Sequence, residues 1–137
     1  MKVITLVFSL LALVSIGFGQ DMTLSERKAQ VSKANWVVAA VNVEEEKPLY
    51  VDSKTIRKDV KHGVVIFEVR NHGTFSGYTY LTVFARCNTA SYIFTNVFAE
   101  QDGVISKEGG TSDVAVAEKN SVMWHILSYV CKEVDKS

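Results

Sequence analysis

The chain has 137 residues, of which 47% are apolar, 22% are charged and one is proline. This excludes the disordered, collagen-like and low-complexity classes and fits one globular domain. Lys plus Arg and Asp plus Glu balance at 15 each, so the broad basic field on which nonspecific nucleic-acid binding relies is missing, and no nucleic-acid partner is expected.

The first nineteen residues read as a secretory signal peptide rather than as fold. Lys2 supplies a positive charge, and residues 3–16 are apolar apart from Thr5, Ser9 and Ser15. Gly17 and Gly19 then place small residues at a cleavage point after Gly19. A membrane anchor is the competing reading, but the uninterrupted apolar stretch is shorter than the roughly 18–20 residues that cross a bilayer. Cleavage leaves residues 20–137, in which no membrane span is expected. Export makes Cys87 and Cys131 the expected disulfide pair, because oxidising compartments favour the bond and two cysteines allow one intramolecular pairing. Two free buried thiols are the alternative. No Asn-x-Ser/Thr sequon is present.

Residues 20–34 are polar and mixed in charge, with a weak helical period through Leu24, Lys28 and Val31, and are expected to form a mobile or loosely docked leader. The folded domain is expected over residues 35–137. It opens with an apolar run from Trp36 to Val41 and a second short strand at Leu49-Tyr50-Val51, joined by the charged turn Glu44-Glu45-Glu46-Lys47-Pro48. Three adjacent carboxylates without a glycine bend lack the ligand alternation of a calcium loop, so the triplet reads as a solvated turn. Asp52-Ser53-Lys54-Thr55-Ile56-Arg57 reads as a turn capped by Asp52 or Ser53, with Ile56 closing the core and Arg57 either paired or at the surface. A ligand clamp made by Asp52 and Arg57 is the functional alternative.

Residues 64–70 form a strong Val/Ile/Phe strand. Residues 78–87 follow a two-residue period that puts Thr79, Leu81, Val83, Ala85 and Cys87 on one face and Tyr78, Tyr80, Thr82, Phe84 and Arg86 on the other. Residues 92–98 are the expected hairpin partner. Asp102-Gly103 and Gly109-Gly110 are breaks, and residues 114–117 suggest a last short strand. Asn120 or Ser121 then caps a C-terminal helix whose stripe is Met123, Leu127, Val130, Cys131 and Val134. Bonding of Cys131 to Cys87 would lay this helix on the Leu81/Val83/Ala85 face. The opposite face then needs a cover, supplied by sheet curvature, the leader, a second copy or a ligand. Uncovered, Tyr78, Tyr80, Phe84 and Arg86 form a candidate interaction face.

No reaction chemistry assembles from these residues. His62, His72 and His125 lack metal-ligand spacing, so no metal or cofactor is expected. Ser76 within Gly73-Thr74-Phe75-Ser76-Gly77 lacks the glycine spacing of a nucleophile elbow, and Gly109-Gly110 lacks a following Gly-Lys-Ser/Thr. A non-enzymatic protein is expected.

The order of features is more specific than any one of them. Trp36 on an early strand is followed by Tyr50-Val51-Asp52-Ser53-Lys54-Thr55-Ile56-Arg57, a strong apolar strand, Cys87, and Cys131 near the end of a C-terminal helix. This pattern resembles the bacterial surface-adhesin E family. The resemblance implies an α+β fold, an antiparallel sheet of about six strands with a C-terminal helix tethered to one face by a disulfide, and a capacity to form a homodimer. It also implies a periplasmic or cell-surface location and adhesion to extracellular-matrix proteins such as vitronectin and laminin, with plasminogen and haemin as further ligands. The chain departs from the family before Cys87, where residues 74–85 hold no Lys or Arg and are rich in Tyr and Thr. Basic ligand-binding positions therefore do not carry over, and aromatic contact takes their place in the expectation. An envelope structural or small-ligand protein, for example a haem binder, dimerising through the aromatic face is the alternative.

Overall fold

A computed structural model describes residues 22–42, 44, 47–73 and 77–136. The signal-peptide segment with its cleavage point, Glu45 and Glu46 of the acidic triplet, and Thr74-Phe75-Ser76 lie outside the described residues. The chain runs α1 (Leu24–Lys33), β1 (Trp36–Asn42), β2 (Lys47–Asp52), β3 (Arg57–Asp59), β4 (Val64–His72), β5 (Tyr78–Arg86), β6 (Ser91–Gln101), β7 (Val104–Gly109), β8 (Ala115–Val116) and α2 (Val122–Asp135). All strands join one antiparallel, curled sheet in the order β1-β2-β4-β5-β6-β7. Strand β3 lies beside β4, and β8 beside β6.

The expected α+β architecture is present. On one face, Val65, Phe67 and Val69 of β4 and Val83 and Ala85 of β5 pack against Ile126, Leu127, Val130 and Val134 of α2 in the main core. The Ser121 hydroxyl caps α2 by accepting from the Trp124 N–H. The Cys87–Cys131 disulfide closes a loop of sequence separation 44 and contributes about 4 kcal/mol in the chain-entropy account.

The two-residue period of β5 is observed, and its second face divides into rows set by the register. Ile66, Phe84 and Ile93 form one cross-strand row and, with Val64, a small second core. Glu68, Thr82 and Thr95 form a polar row. Tyr50, Arg70, Tyr80 and Phe98 form an aromatic row, with His72 opposite Tyr78 beyond it. Between the polar and aromatic rows β6 bulges. Tyr80 pairs with Phe98 but Thr82 pairs with Thr95, and Asn96 within the bulge takes φ 52°. Asparagine tolerates this left-handed conformation better than most residues.

The segment expected as a loosely docked leader is a helix fixed to this second face. Thr23 and Glu26 form a capping box at the start of α1, and Arg27 is 0% exposed. Strand β7 was not among the expected elements. Four of its six residues are exposed, so an edge strand with little to bury carries no hydrophobic alternation.

Candidate functional site

The aromatic row meets the surface where β1, β2, β4 and β5 lie side by side. The guanidinium carbon of Arg70 sits 4.3 Å from the ring centre of Tyr50, 4.4 Å from that of Tyr78 and 4.9 Å from that of Trp36. Each ring comes from a different strand, and cross-strand pairing of Arg70 with Tyr50 and Tyr80 holds the cluster together. His72 extends it, with ring centres 5.2 Å from Tyr78 and 6.2 Å from Tyr50. Trp36, Tyr50, Arg70, His72 and Tyr78 are all half-buried, so the cluster is anchored in the sheet and open to solvent.

Tyr80 forms the floor of this cluster. It is 1% exposed, lies 5.9 Å from Trp36 and 6.4 Å from Tyr78 between ring centres, and donates a 2.6 Å hydrogen bond to the Glu100 carboxylate. Burial first, and then the hydrogen bond to Glu100, push the phenol well above its ordinary range. Gly77 allows this end of the sheet to close, because a Cβ there would meet the Glu100 carbonyl oxygen at 2.0 Å.

The four residues expected to share an interaction face are thus separated. Tyr78 remains at the surface and Arg86 is half-buried at the far end of β5, whereas Tyr80 and Phe84 are 1% and 2% exposed. The rings of Tyr80 and Phe84 are covered within a single chain and present no surface to a partner. The expectation missed Arg70, Trp36, Tyr50 and His72, which complete the exposed part of the cluster. An arginine on a strand with aromatics two residues apart on a neighbouring strand was the available signal, but the register that joins them is not local.

A second arginine lies on the same face in an opposite setting. Arg27 Nη1 donates to Glu68 at 2.6 Å and to Gln30 at 2.9 Å, and Nη2 donates to the Asn96 carbonyl at 2.7 Å. Thr82 donates to the same Glu68 oxygen at 2.7 Å, and the Asn96 side chain accepts from the Met22 N–H at 2.9 Å. The capping box at Thr23 was the sequence signal for this helix; nothing local marked Arg27 as its anchor.

The Asp52–Arg57 turn feeds into that network. The Asp52 carboxylate is buried and accepts from the Gln30 side chain at 2.9 Å, the Asn35 N–H at 2.9 Å and the Lys54 N–H at 3.1 Å. Ser53 accepts from the Asn35 side chain, and Ile56 packs on the main core. Arg57 is exposed and donates to the Thr55 carbonyl, so Asp52 and Arg57 do not converge on a ligand.

The histidines stay apart. His62 pairs with Asp59 in the turn after β3, His72 belongs to the aromatic cluster, and His125 is exposed on α2. Among the described residues, no three His, Cys, Asp or Glu side chains are placed to share a metal ion. No helix of the described residues is long and apolar enough to cross a membrane.

No family model, curated protein or solved structure matches this chain.

Proposed function

We propose that the protein is an exported, non-enzymatic binding domain of the bacterial surface-adhesin E type. Its recognition surface is the half-buried cluster of Trp36, Tyr50, Arg70, His72 and Tyr78. The observation that carries this reading is the state of Arg70, a cation stacked among three rings with no carboxylate within ion-pair distance among the described residues. Rigid aromatic rings around an arginine are the composition that dominates recognition hot spots. The disulfide and the lack of a helix that could span a membrane among the described residues are compatible with an extracytoplasmic location. Within the envelope, the periplasm or the cell surface is the proposed place of action.

The test is binding of the oxidised protein and its Arg70→Ala variant to immobilised vitronectin, laminin, plasminogen and collagen at two salt concentrations. Saturable binding that the substitution abolishes supports the reading, and the salt response measures the share carried by charge. Binding to none of them, or binding that survives Arg70→Ala, overturns it.

A further inference from the structure

Resting on the reading of the aromatic cluster as the recognition surface, we propose that this site binds the carboxylate of an acidic sugar, a hexuronate-type residue of a matrix glycan. The donors and the aromatic rings of the cluster together point to that chemistry. Arg70 offers its guanidinium N–H groups and Trp36 an indole N–H, and neither side chain accepts. The Nε atoms of Arg70 and Arg27 are both buried with no hydrogen-bond partner, so the two arginines differ at their Nη groups, which in Arg27 are bonded to Glu68, Gln30 and Asn96. The Glu100 carboxylate at this end of the sheet accepts from the Tyr80 hydroxyl at 2.6 Å. A cation without an anion, set among half-buried aromatic side chains, calls for a ligand that is anionic at one edge and apolar on its flat side.

An acidic sugar meets both demands. Its carboxylate can take two N–H groups of the guanidinium side by side, its axial C–H face can lie on a ring, and its hydroxyls can reach the phenols of Tyr50 and Tyr78. Inorganic phosphate would satisfy the charge and leave the rings unused. A neutral sugar would use the rings and leave Arg70 unpaired. Arg27 shows what the same side chain looks like when its anion is supplied in cis: it is paired with Glu68 at 2.6 Å and fully buried.

The two tryptophans provide the test. Trp36 lies in the site, whereas Trp124 packs on the opposite face with α2, so its indole N–H signal is an internal control in a nuclear magnetic resonance titration. Glucuronate is expected to move the Trp36 indole signal saturably and leave that of Trp124 in place. Glucose, glucuronate methyl ester and acetate should bind about tenfold more weakly or less, because each lacks either the charge or the ring. Arg70→Lys, which keeps the charge and loses the planar fork, should weaken glucuronate binding by about tenfold. Equal shifts with glucose or acetate, an unchanged response in Arg70→Lys, or no shift with glucuronate would each overturn the assignment. If matrix proteins still bind through Arg70 while glucuronate causes no shift, the acidic-sugar assignment falls and the recognition surface stands. If Arg70→Ala leaves matrix binding intact, the recognition surface itself falls.

Discussion

Arg27 and Arg70 occupy the same face of one sheet, and they resolve the burial of a guanidinium in opposite ways. Arg27 is fully buried and met by a carboxylate, an amide oxygen and a bulged carbonyl; Arg70 is half-buried and met by three aromatic rings. A buried cation must be neutralised and hydrogen-bonded or it costs several kcal/mol. Arg27 is therefore committed to holding α1 on the sheet. Stacking on rings stabilises a guanidinium without consuming its N–H edges, so Arg70 keeps capacity for a partner. The first setting makes a joint and the second makes a surface.

The largest expected effect breaks the joint. Arg27→Ala leaves Glu68 buried without its cation and should cost about 3–5 kcal/mol in urea unfolding. The double change Arg27→Met with Glu68→Leu should restore much of that loss, because it removes both charges. Next comes Cys87→Ser, which loosens α2 on the opposite face and should cost about 2–4 kcal/mol. The Arg70 site should remain in place, because none of its contacts crosses to α2. Smaller again is Arg70→Ala: with rings partly open to water, it should lower stability by about 1 kcal/mol while removing binding.

The smallest effect sharpens the view of the cluster floor. The Tyr80 phenol is raised in the folded chain, so its neutral form is favoured there. Its contribution is intact below the ordinary phenol value of about 10 and is lost as pH rises above it, where the unfolded chain ionises first. An absorbance titration should show one phenol that resists ionisation until the protein unfolds, and Tyr80→Phe should remove that late step.

The sequence carried one side of the sheet better than the other. The alternation along residues 78–87, the stripe of α2 and the capped turn at Asp52 are local patterns, and the structure repeats them. Ile126 was missed from the stripe although it is 0% exposed. On the second face the determinants are distant from one another. Arg27 meets Glu68 across 41 positions and Asn96 across 69, and the Asn96 carbonyl is aimed by a bulge that no short pattern announces. A lone arginine in a polar segment therefore reads as solvated. Arg70 lies just before the tyrosine-rich stretch with no local pattern to single it out, since its three rings arrive from β1, β2 and β5 through register alone.

The contrast between the two arginines is tested most directly by measuring unfolding free energy and matrix-protein binding side by side for Arg27→Met and Arg70→Lys. Arg27→Met is expected to lose about 3 kcal/mol or more of stability, while Arg70→Lys stays within about 1 kcal/mol of the parent and binds about tenfold more weakly. An Arg70→Lys protein as destabilised as Arg27→Met, or one that binds like the parent, would contradict it.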